Sequence, residues 1–160
     1  MGDSVNSNFA SSSITAAETV VVINRLVLKP QYSLDDIQEE IAFLCENMKT
    51  YHSGAGFMGG FVALNSGNIS NDSATLGDVV ASPLKDREVL VLIYWRSFED
   101  QKRSHASDTF QPLFKKVMEM CENGCDKIGY TMLWSGRAYS PEEALAARKA
   151  KEKYSGNRAA

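Results

Sequence analysis

A chain of 160 residues, 44% hydrophobic and 23% charged, is long enough to form one domain with a real core. Its net charge of −3, without any cluster of Lys and Arg, speaks against a nucleic-acid binder. No apolar run approaches the roughly 18 residues of a membrane span, and the first residues have neither the basic nor the apolar region of a secretory signal.

The cysteines are Cys45, Cys121 and Cys125. An odd number without a paired framework fits a reducing compartment, so a cytoplasmic location is expected. The Cys121-x-x-x-Cys125 spacing suits neither a redox pair nor a zinc knuckle, and no histidine accompanies it, so no metal site is expected.

In chain order, residues 1–17 are small, polar and serine-rich, which predicts a disordered arm. The folded domain is expected over residues 18–136, followed by a helical appendage over 137–160. Val20–Leu28 reads as a strand, with apolar residues at both sets of alternate positions. Asn24 is the odd residue in it, because a buried amide must find partners. Pro30 stops the strand.

Ser33 and Asp36 form a capping box that opens a helix to about Thr50, with Leu34, Ile37, Ile41, Leu44 and Met48 on its apolar stripe. His52 falls just beyond it and reads as loop surface. Gly54–Asn65 carries four glycines with Phe57, Phe61, Val62 and Leu64, a pattern for a strand with a bulge or close backbone approach. Ser66–Arg87 is polar and aperiodic, which predicts a long mobile excursion with an apolar touch-down at Val79-Val80.

Val89–Trp95 is a dense run of branched and aromatic residues, as in a strand covered on both faces. Ser97 with Asp100 then opens a long amphipathic helix carrying Leu113, Phe114, Val117 and Met120, which Asn123-Gly124 stops. Asp126–Trp134 is the last strand, and Ser140-Pro141-Glu142-Glu143 opens a helix rich in Ala and Lys, too poor in large apolar residues to bury deeply.

The order β-α-β-loop-β-α-β predicts an α+β, ferredoxin-like βαββαβ sandwich with an extra C-terminal helix. Both helices of such a fold lie on one face of the sheet. The other face, carrying Val20, Val22, Leu26 and Leu28 or their alternates, needs cover, and a second copy supplies it most simply. An obligate, two-fold symmetric homodimer with the sheets face to face is therefore expected, in which a charge at Val91 or Ile93 would aggregate or unfold the chain.

Two segments carry a resemblance. Ile23-Asn24-Arg25-Leu26 followed by Pro30, and Tyr94-Trp95-Arg96-Ser97 followed by His105-Ala106-Ser107-Asp108-Thr109-Phe110, resemble the first strand and the third-strand/second-helix junction of the antibiotic-biosynthesis-monooxygenase (ABM) type, dimeric α/β barrel superfamily. The likeness covers about Val20 to Gly136. It implies a barrel cavity and one of several activities: cofactor-free oxygenation of electron-rich aromatics, haem degradation or isomerisation of small metabolites. For haem degradation the family uses a first-strand Asn, a Trp early in the second helix and a His ligand. Asn24 matches the first, but Ser104 and Phe114 stand at the other two positions, which speaks against it.

The resemblance thus implies a small cavity enzyme, a cofactor-independent oxygenase or isomerase on an apolar or aromatic small molecule. Asn24 and His105 are the candidate catalytic residues, for orienting an oxyanion and moving a proton. Trp95, Tyr130 and Phe61 are the candidate substrate-binding walls, and no cofactor is implied. The alternative is a non-catalytic dimeric binding module in which the same aromatics only pack. An open cavity with convergent polar groups favours the enzyme, a filled one the module.

Overall fold

The computed structural model describes residues 19–156; the expected arm over 1–17 lies outside the described residues. Strand β1 (Val20–Val27) leads into α1 (Leu34–His52), a single 3-10 turn (Ser53–Ala55) and β2 (Phe57–Leu64). Two short strands follow, β3 (Asn68–Ile69) and β4 (Val79–Val80), then β5 (Glu88–Trp95), α2 (Phe98–His105), α3 (Gln111–Glu119), β6 (Asp126–Thr131) and α4 (Pro141–Gly156). The main sheet has four antiparallel strands in the order β2-β5-β1-β6, which is ferredoxin-like.

Alternation decides which face does what. In β5 the side chains of Val89, Val91, Ile93 and Trp95 are buried, and in β1 those of Val20, Val22, Asn24 and Leu26. These point to α1 and α3, whose Ile37, Ile41, Leu44, Met48, Phe114 and Val117 complete the core. The alternates Val21, Ile23, Leu90, Leu92 and Tyr94 form the other face with Phe61, Ile128 and Tyr130. Val91 and Ile93 therefore face the helices. A charge there would strike the core, and the residue to test for a partner is on the alternate set.

Both predicted capping sites form. The Ser33 hydroxyl accepts from the Asp36 amide and the Asp36 carboxylate accepts from the Ser33 amide, so the box is reciprocal. At α2 the Ser97 hydroxyl accepts from the Asp100 amide. Asp100 is itself buried and takes two bonds from Arg96, with Arg103 near its other side. These partners hold its carboxyl below the ordinary range, Arg96 foremost.

Four expectations are corrected. The long second helix is two helices, because Pro112 has no amide to donate and clashes with a helical carbonyl four residues back, so the chain turns at residues 106–110 and restarts. The last strand ends at Thr131, leaving Leu133 and Trp134 exposed. The first helix runs to His52, which is buried rather than loop surface. The Ser66–Arg87 excursion contains the β3–β4 ladder, tied by Ser70 to Asp78 and Thr75 and by the Asp72 carboxylate to the Ala74 amide. Val79 and Val80 do not touch down; both stay exposed on this hairpin.

Candidate functional site

Asn24 sits mid-strand on the helix-facing side, 5% exposed. Its Nδ2 donates to the Val91 carbonyl at 3.1 Å, and the Cys125 thiol donates to its Oδ1 at 3.7 Å. Strand register places Lys127 of β6 directly opposite Asn24, so a cation joins this row. The Lys127 ammonium lies 4.2 Å from the centroid of the Phe114 ring. Desolvation there lowers its pKa.

His105 ends α2 and turns inward over the α2–α3 corner. Its ring lies 4.4 Å from that of Phe110 and 5.7 Å from that of Phe114, centroid to centroid. Burial, then the charge of Lys127, pushes its pKa down to about 4, although the Gln101 carbonyl acts in the opposite sense. It is therefore neutral at pH 7. In the tautomer that donates Nδ1–H to the Gln101 carbonyl, 3.2 Å away, Nε2 keeps the free lone pair. Asn24, His105, Phe110 and Phe114 line one cavity with Leu44, and it is nearly filled at about 10 Å³. That is room for at most one water molecule.

The other predicted residues are not brought to this cavity. Trp95 is fully buried on the helix-facing side and packs edge-on against Phe57 at 5.9 Å, with its Nε1 lacking a partner among the described residues. Tyr130 and Phe61 lie on the opposite face, on the two edge strands, each about half exposed. Phe61 also borders a separate cavity of about 110 Å³ with Cys45, Met48 and Phe57.

Sequence reasoning missed three polar residues of the helix-facing layer. His52 packs edge-on against Phe110 at 6.4 Å, and burial lowers its pKa. Among the described residues its Nε2, the Asn47 Oδ1 and the Ser104 Oγ are buried without a hydrogen-bond partner. The signal for His52 was present, since Leu44, Met48 and His52 repeat every fourth residue. Ser104 likewise follows buried Asp100 by four. Among the described residues no group of three His, Cys, Asp or Glu side chains gathers to hold a metal ion. No helix there is long and apolar enough to cross a membrane.

No protein-family model matches the sequence, and no curated protein matches it. Solved structures do resemble it. SnoaB, a cofactor-independent oxygenase from Streptomyces nogalater, is 13% identical, with 78% of this chain and 99% of that one covered at a TM-score of 0.51. A protein from Caulobacter crescentus CB15, provisionally designated an antibiotic biosynthesis monooxygenase, is 10% identical over 78% of this chain and 99% of its own, TM-score 0.53. The chain has the ABM-type fold. A hydroxynitrile lyase from Passiflora edulis shares it too, at 15% identity, 78% and 99% coverage and a TM-score of 0.53. The ABM-type fold is thus compatible with more than one chemistry, and the site residues must decide between them.

Proposed function

We propose that the protein is a small cavity enzyme, a cofactor-independent oxygenase or isomerase acting on an apolar or aromatic small molecule held between the sheet and the helices. The observation that carries this reading is that His52 Nε2, Trp95 Nε1, Asn47 Oδ1 and Ser104 Oγ, like Glu40 Oε2, are buried without a hydrogen-bond partner among the described residues. Each buried orphan costs roughly 1–3 kcal/mol, and a bound hydroxyl or carbonyl would satisfy one or two. Neutral His105 would take a proton from an acidic hydroxyl or carbon acid of the substrate, the anion forming beside it raising a basicity that burial and Lys127 otherwise hold low. Asn24 and Lys127 would stabilise the resulting anion, and Phe110, Phe114 and Leu44 would form the walls. Dioxygen then oxidises that anion in an oxygenase, or the proton returns at another atom in an isomerase.

Phe61 and Tyr130 we assign to the contact between two copies, since the protein is proposed to be a homodimer joined through the open sheet face. Three unpaired thiols favour the cytoplasm as its compartment. The filled cavity favours a second reading, a non-catalytic dimeric module whose aromatics only pack. The test is a panel of polyhydroxylated aromatics, followed by oxygen uptake and by thermal stabilisation. Turnover that falls at least about a hundredfold in His105→Ala supports the enzyme. A panel that neither reacts nor raises the melting temperature supports the module.

A further inference from the structure

We infer that the groove between α1 and β2 receives helix α4 of a second copy of this chain. The inference rests on the homodimer proposed above and adds a contact to it. The groove is about 380 Å³ in volume, floored by Leu34, Ile41 and Cys45 of α1 with Val62 and Leu64 of β2. It opens at the free edge of the sheet, because β2 pairs on one side only. β2 itself, Phe57-Met58-Gly59-Gly60-Phe61-Val62-Ala63-Leu64, carries no charge and no proline to keep a neighbour away.

Charge selects the occupant. Asp35, Glu39 and Glu46 recur at helical spacing on α1, beside the groove residues Gln38 and Ala42, and make an acidic rim. Asp35 and Glu39 are exposed and form no ion pair among the described residues. Helix α4 is the complement: Arg148, Lys149, Lys151 and Lys153 are exposed and likewise form no ion pair there. Opposite charges on the two surfaces fix register and exclude other partners.

α4 also needs a partner. It makes no extended packing with any other element of its own domain, and Leu145 and Tyr154 stand 50% and 78% exposed. An isolated helix of this length is marginal in water, so docking an apolar side into a groove is its natural route to stability. The groove lies at the edge of the sheet opposite β6, from which α4 leaves, and no residue of α4 lines it within the same chain. It is therefore open to the α4 of a second copy.

Cys45 already lines the groove as a free thiol, which provides the test. Ala147→Cys in α4, treated with a short bismaleimide, should give a covalent dimer on denaturing gels. The band should vanish when Cys45→Ala is added and fall several-fold with Asp35→Lys/Glu39→Lys. A crosslink within one chain overturns the inference, and so does a Cys45-independent band. Sedimentation separates the two levels: a dimer that never crosslinks through Cys45 removes only the α4 contact, whereas a monomer removes the dimer as well.

Discussion

Asn24 shows why a buried amide in a strand is both a structural and a functional choice. Its two ends are engaged by the Val91 carbonyl and the half-buried Cys125 thiol, so Asn24→Leu would remove a buried bond to Val91 and leave the thiol only the Asp126 carbonyl. We expect a loss of roughly 1–3 kcal/mol in urea denaturation; a change below about 0.5 kcal/mol would show that these bonds contribute little. Asn24 stood out in the sequence because it interrupts an apolar strand, and His105 only through the family resemblance, whereas Lys127 joins their row only once β6 is registered against β1. His105 makes a second prediction. Its pKa is near 4 in the folded state against 6.5 ordinarily, because burial and the charges of Lys127 and His52 disfavour the imidazolium, with only the Gln101 carbonyl favouring it. The unfolded chain therefore binds this proton more readily, and stability is full above pH 6.5 and drops as the pH falls from 6.5 towards 4. His52, whose pKa burial also lowers, acts in the same direction. His105→Phe should flatten the loss of denaturation midpoint between pH 7 and pH 5; an unchanged slope would mean that other groups set it.

At the scale of elements, local signals and packing agree for most of the chain. The Ser33–Asp36 box, the dense apolar run of β5 and the glycines of β2 are short-range patterns, and each forms the element it predicts. The glycines allow close approach: a Cβ on Gly60 would fall inside the van der Waals shell of the Leu92 carbonyl oxygen on β5. Gly60→Ala should therefore destabilise the fold by about 1–3 kcal/mol. Gly54→Ala, where a Cβ meets nothing, should stay within about 0.5 kcal/mol. Equal effects for the two in chemical denaturation would contradict the close-approach argument. What the sequence reading missed was set by single residues or by tertiary context. Pro112 divides the second helix, and a periodicity that spans the break reads as continuous. The β3–β4 hairpin has exposed side chains on both strands, so it carries no hydrophobic period and reads as loop. Its order comes instead from the Asp72 and Ser70 side chains bonding their own backbone.

For the whole molecule, the decisive feature is the open face of the sheet. Phe61, Leu92, Ile23 and Ile128 stand in register across all four strands, with Tyr94, Val21 and Tyr130 forming the next row. Beyond them the surface turns polar, where Arg25 pairs with Glu88 and Asp126. An apolar centre with a charged margin is the anatomy of a protein interface. A contiguous apolar patch with a polar rim marks a contact surface when it is large. Full burial of a Leu, Ile or Phe side chain contributes roughly 1.5–3 kcal/mol, and in the proposed homodimer a two-fold axis would apply each row twice. That sum has to exceed an association cost of about 4–15 kcal/mol, so several rows must be covered together. The two faces of β5 then give opposite outcomes for the same substitution. Val91→Lys places a charge among Asn24, Leu44 and Phe114 and should unfold the domain. Leu92→Lys, one residue on, should leave the circular dichroism of the domain unchanged while sedimentation shows a monomer at micromolar concentration. If Leu92→Lys remains a dimer, the open face is not where two copies meet.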